Sequence, residues 1–207
     1  MAKTMTPSIT DEQIDKAADQ LRAAMRKHRM EVRKDVAQKA LGVDNLGMRM
    51  FAVFCGIAES LANLIVRVVR VNRDCTPEEA LKATGRKQHV SADVVSTMPK
   101  GRGGKTEVLF FKPRPEAYDK NGLISDDNLE KEFEFVGLKP VDPYSLAQAN
   151  TDDPAFADTH PNGTHWKDTD GKWCFAAFDR WRDGRIVFVV EGGFGWNDYW
   201  WVAGVRK

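Results

Sequence analysis

The sequence predicts an α+β protein: a helical hairpin or three-helix unit over residues 1–75, then short helices and a small antiparallel β-meander over 76–207. Three observations point there. Apolar residues between 10 and 71 recur at three- and four-residue intervals, the period of a helix face. Helix-start signals continue at shorter spacing through the middle of the chain. All six Trp gather in the last 42 residues, in alternating segments divided by Asp-Gly turns. With 207 residues, 42% hydrophobic and 29% charged, a disordered, collagenous or disulfide-scaffold chain is excluded.

The elements follow in order. Thr10 and Gln13 form a capping box that opens a helix with an apolar stripe of Ile14, Ala17, Ala18, Leu21, Ala24 and Met25. Val32, Val36, Ala40 and Leu41 mark a shorter helix stopped by Gly42. A third starts near Leu46, where Met50, Phe54, Ile57, Leu61, Leu64, Val68 and Val71 make a seam expected to pack on the first helix. Its end is placed at about Val66, although the β-branched run 65–71 also suits a strand. Thr76-Pro77-Glu78-Glu79 starts a helix that stops at Gly85, and 91–98 holds another turn or two. A basic glycine loop, 100–105, precedes a strand at 107–112. Ser125 and Asp142 cap two more helices, and Asp153-Pro154 starts a brief turn. Turns at Asp170-Gly171 and Asp183-Gly184 then delimit strands 172–182 and 185–191, followed by 199–205.

Charge is nearly balanced at +1, but residues 1–90 carry +5, the remainder −4, and 113–179 alone −8. An acidic middle repels phosphate, so nucleic acid is a disfavoured partner despite the basic loop and helices. No basic-then-apolar leader opens the sequence. The apolar stretch 48–71 is broken by Arg49, Glu59, Asn63, Arg67 and Arg70, too many polar groups for a membrane span. Three distant cysteines, Cys55, Cys75 and Cys174, fit reduced thiols, and the expectation is a cytoplasmic chain.

Several runs together carry a resemblance: Ser125-Asp126-Asp127, Gly137-Leu138-Lys139-Pro140, Asp142-Pro143-Tyr144, then 160–168 (HPNGTHWKD), Gly171-Lys172-Trp173-Cys174 and 200–207 (WWVAGVRK). The chain resembles a family of bacterial proteins with no assigned activity. That resemblance implies a bacterial cytoplasmic setting and supplies no catalytic set.

Candidate chemistry concentrates between His160 and Trp181. His160 and His165 frame a Pro-Asn-Gly turn and are candidate metal ligands, although a single nearby Cys and a loop setting lack the order of a zinc finger. Cys174, His165 and Asp179 have the residue types of a thiol nucleophile, base and orienting acid. A cysteine midway along an aromatic strand is more often a small buried hydrophobe. The paired acids Asp126/Asp127 and Asp152/Asp153 read as helix caps. On strand 172–182, alternation sends Trp173, Phe175, Ala177, Asp179 and Trp181 to one face and Cys174, Ala176 and Phe178 to the other. A three-stranded sheet covered by helices on one face leaves indoles accessible. Trp173, Trp181, Trp200 and Trp201, with Arg180 and Arg182, are therefore the expected ligand-binding residues.

The preferred expectation is a non-enzymatic binding module that contacts a protein partner or small ligand through this Trp-rich sheet, needs no cofactor, and self-associates through its N-terminal helices. The alternative is a small metal- or thiol-dependent hydrolase at the His160–Cys174 region. A nucleic-acid-binding accessory protein stands third.

Overall fold

The computed structural model describes residues 8–182, 184–193 and 195–207. Asp183, half of the expected Asp183-Gly184 turn, lies outside the described residues. The chain divides into two compact units between Val53 and Phe54.

The first unit contains α1 (Asp11–Lys27), α2 (Lys34–Leu41) and the beginning of α3 (Leu46–Ala62). The capping box forms as the sequence predicts: Thr10 Oγ1 accepts from the Gln13 amide at 3.3 Å, and Gln13 Oε1 accepts from the Thr10 amide at 2.9 Å. The helical part of the expected seam, Met50 to Leu61, does not bury, since α1, α2 and α3 contain no buried residue, whereas Val71 at its far end lies in the core.

The second unit runs β1 (Ile65–Arg70), α4 (Pro77–Ala83), β2 (Lys87–Val90), α5 (Ala92–Ser96), β3 (Lys105–Phe111), β4 (Leu123–Ile124), α6 (Asp126–Phe135), β5 (Leu138–Pro140), α7 (Pro143–Asp152), α8 (Phe156–Thr159), β6 (Asn162–Lys167), β7 (Trp173–Trp181), β8 (Gly184–Glu191), β9 (Trp196–Asn197) and β10 (Trp201–Arg206). Its helices begin where short polar side chains satisfy the first free amides. Thr76 accepts from Glu79, Ser125 from Asn128, and Asp142 from Ser145.

The main sheet has the order β1-β3-β10-β6-β7-β8-β2, with β5 on the end of β10. The β10–β6 and β2–β8 pairs are parallel, the others antiparallel. β3 shows the layering. Alternation turns Val108 and Phe110 toward α4, α5, α7 and α8, and Leu109 and Phe111 toward α6 and the small β4–β9 ribbon. All four side chains are buried, each contributing about 1.5–3 kcal/mol of apolar burial.

Three expectations are corrected. Residues 65–70 are a strand paired with β3 rather than the end of a helix, so they belong to the sheet and not to an N-terminal helical domain ending at 75. The cross-strand partners offered by β3 outweigh the weak helix preference of Ile65, Val66, Val68 and Val69. The tail is not a three-stranded meander: β7 and β8 form the expected hairpin, but β10 inserts between β3 and β6. Lastly, the sheet is covered on both faces, so the large exposed aromatic surface inferred from a thin sheet does not arise. Trp166 and Trp196 are buried, Trp173, Trp200 and Trp201 are half-buried, and Trp181 alone among the described indoles is exposed, at 58%.

Candidate functional site

Residues 161–163 have the composition of a turn, but Asn162–Lys167 form strand β6, which places His165 on one face of the sheet. Thr164 and Trp166 point to the α7 side, where Thr164 Oγ1 donates to the Val141 carbonyl and Trp166 Nε1 donates to Thr97 Oγ1. Gly163 and His165 therefore point to the α6 side. Gly163 has to be glycine here, because a Cβ would fall 2.5 Å from the Trp196 ring and 3.1 Å from the Ala176 carbonyl.

His165 is buried and held by α6. Its Nδ1 stands 2.8 Å from Asp126 Oδ1, and its Nε2 stands 2.9 Å from Glu130 Oε1. The second contact is out of line with the ring N–H, so it is Coulombic and leaves Nε2 without an aligned acceptor. Asp126 Oδ1 also accepts from Trp196 Nε1 at 2.9 Å. Trp173 stacks on the imidazole, with centroids 4.5 Å apart and planes 14° from parallel. Burial disfavours the charged ring, but the hydrogen bond to Asp126 and the negative charges of Asp126 and Glu130 outweigh it and raise the pKa above 6.5. His165 is thus held inside the fold with a carboxylate at each ring nitrogen.

The sign of this shift gives a pH prediction. A raised folded pKa contributes stability that is fully present below the ordinary value of 6.5 and is lost as pH rises through the raised one. The stability advantage of the natural protein over a His165→Gln variant, followed by thermal melting, should shrink on the alkaline side of 6.5. A constant or widening difference contradicts the raised pKa.

His165, Glu130 and Trp173 line one end of a cleft of about 970 Å³. Lys139, Lys167, Arg206 and the basic loop residues Arg102 and Lys105 surround it, together with Glu107, Asp127 and Asp142. Each lining carboxylate already faces a cation: Glu107 with Arg206 at 3.3 Å, Asp127 with Lys167 at 4.0 Å, Glu130 with His165, and Asp142 with Arg73 at 2.8 Å. Arg102, Lys105 and Lys139 have no acid partner among the described residues. Arg73 supports the loop from behind. Its Nε donates to the Gly103 carbonyl at 2.6 Å, and its two Nη atoms donate to Asp142 and Ser145. Gly101, at φ +70°, lies so close to this pair that a Cβ would stand 2.3 Å from Asp142 Oδ2.

The other sequence candidates separate. Cys174 is buried on the α7 side with Ala176 and Phe178, opposite His165, and burial raises its thiol pKa. Asp179 accepts from the Tyr199 hydroxyl at 2.7 Å and from the Arg180 amide. Cys174, His165 and Asp179 therefore form no catalytic trio. His160 stacks on Phe156 and meets the edge of Trp201, on the face away from His165, so the two histidines cannot share an ion. Among the described residues no cluster of three or more His, Cys, Asp or Glu is arranged to hold a metal. The expected indole surface is dispersed too. Trp200 packs edge-on against Trp196 and Tyr199, and Trp201 lies under Lys112. Trp181 and Arg182 are exposed at the far hairpin, and Arg180 is paired with Asp158 at 2.9 Å. Of the predicted ligand-binding residues, Trp173 is the one that lines the cleft.

Sequence reasoning missed Asp126, Glu130 and Arg73. Asp126 and Glu130 are four residues apart, hence on one helical face, which is a readable signal. Arg73 carries none, because its partners lie about 30 and 70 residues away. No protein-family model, no curated protein and no solved structure matches the chain.

Proposed function

We propose that this protein is a binding module whose cleft takes a small anionic ligand, carrying carboxylate or phosphate groups, against the Trp173 face. The observation that carries this reading is the charge accounting of the cleft: each of its carboxylates faces a cation, whereas Arg102, Lys105 and Lys139 line it without acid partners among the described residues. Cations at a concave, partly apolar wall attract an anion more strongly than they would on a flat surface. Two further features support it. His165 adds a buried imidazole whose Nε2 has no aligned acceptor, and Trp173, stacked on that ring and with the Lys167 ammonium 4.5 Å from its centroid, supplies a half-buried aromatic wall. Binding rather than general-base catalysis fits a histidine whose two ring nitrogens are both engaged by carboxylates of the protein itself.

Pyrophosphate and citrate are suitable probes in isothermal titration calorimetry. Both should bind, with affinity falling as salt is added. A triple substitution of Arg102, Lys105 and Lys139 to Ala should weaken binding by about 100-fold or more, taking somewhat over 1 kcal/mol per charged contact, and leave melting unchanged. No binding by the natural protein, or equal binding by the triple variant, refutes the reading.

A further inference from the structure

We propose that α1 is a self-association surface, on which a second copy of this chain docks its own α1 in antiparallel orientation. The stripe that the sequence marks as a packing face is uncovered: Ile14 is 49% exposed, Leu21 41% and Met25 58%. Ala18, Leu21, Arg22, Met25, Arg26 and Arg29 outline a shallow groove of about 410 Å³ along it. A stripe of this kind is the part of an amphipathic helix that ordinarily supplies its packing energy.

Charge identifies the occupant. At about 100° per residue, Ile14, Ala17, Ala18, Leu21, Ala24 and Met25 span an arc of about 120°. Asp11, Asp15, Arg22 and Arg26 all fall within about 60° of one another on a single flank of that arc. In an antiparallel pair related by a two-fold axis, each flank meets the same flank of the other copy, running in reverse. Asp11 then faces Arg26, and Asp15 faces Arg22, which already pairs with Asp19 in its own helix. Ile14 pairs with Met25 and Ala18 with Leu21 about an axis one residue further along, a shift of about 1.5 Å that keeps these apolar pairs within about 3 Å of the charged register. A parallel pairing places the acidic ends side by side. The helix dipole explains acids early and bases late; it explains neither their common flank nor the uncovered stripe. A bilayer is a poorer occupant, since α1 is about 25 Å long and no single described helix is long and apolar enough to cross a membrane.

The test is the mass of the full chain in solution by light scattering across a concentration series. The natural protein should rise from 23.3 kDa toward twice that value. Asp11→Arg with Asp15→Arg, and separately Arg22→Asp with Arg26→Asp, should each lose the rise, and an equimolar mixture should regain it. Because reversed charges also oppose the helix dipole, Ala18→Cys provides a second readout. Residue 18 lies near the two-fold axis and should cross-link to itself on mild oxidation, whereas Met25→Cys, about 10 Å from the axis, should not. A concentration-independent mass, reversals that still dimerise, equal cross-linking at both positions, or a monomer that binds anionic vesicles through α1 overturns the proposal.

Discussion

Asp126→Ala should be the most damaging single substitution in the cleft region, costing about 3–5 kcal/mol of stability. One carboxylate oxygen satisfies two buried donors, His165 Nδ1 and Trp196 Nε1. Its loss leaves a buried imidazole Nδ1 and a buried indole N–H without their acceptor, and both penalties fall on the native state alone. Glu130 cannot compensate, because it approaches the opposite nitrogen and its side chain is 40% exposed. The neighbouring Asp127→Ala is the control. Its side chain is 77% exposed, and its loss should stay within about 0.5 kcal/mol. Urea unfolding of the two variants measures the contrast, and a cost below about 1 kcal/mol for Asp126→Ala would mean that the clamp does not hold β6 to α6.

Arg73→Ala is the second large effect, expected at about 2–4 kcal/mol, with a consequence for the cleft that Asp126→Ala does not share. Asp142 and Arg73 have side chains only 13% and 14% exposed, so removing the guanidinium strands a mostly buried carboxylate at the start of α7. The same change frees the Gly103 carbonyl, the anchor of the loop that presents Arg102 and Lys105. Amide hydrogen exchange should therefore accelerate in residues 100–105, and pyrophosphate affinity should fall although Arg73 itself does not line the cleft. Unchanged exchange in that loop would show that it is held by other contacts.

Local physical signals were legible in this sequence, and distant ones were not. Thr10, Thr76, Ser125 and Asp142 announce their helices because a cap is satisfied within three residues, and all four caps form. The two faces of β7 follow directly from alternation, down to the placement of Cys174 away from Trp173. β6 was hidden because Pro161, Asn162 and Gly163 have turn chemistry. Asn162 is instead buried, with its amide bonded to Asn150 on α7, a partner outside any local window. β2 (Lys87–Val90) is polar and wholly exposed, so nothing in its composition signals the parallel pairing with β8. The cleft was legible only in fragments: the basic loop, Trp173 and His165 each stood out, but the pairing that neutralises its acids and spares Arg102, Lys105 and Lys139 is wholly non-local.

The position of β10 has a consequence for synthesis. It leaves the ribosome after every other described strand of this sheet, yet it lies within the sheet between β3 and β6. Until it emerges, β1 and β3 on one side and β6, β7, β8 and β2 on the other are half-sheets, each with one open ladder. A nascent chain held in that state carries two sticky edges and unsealed apolar faces, the condition in which chaperone capture competes with aggregation. Closure by one short segment welds both halves at once, so the sheet should form late and abruptly rather than strand by strand.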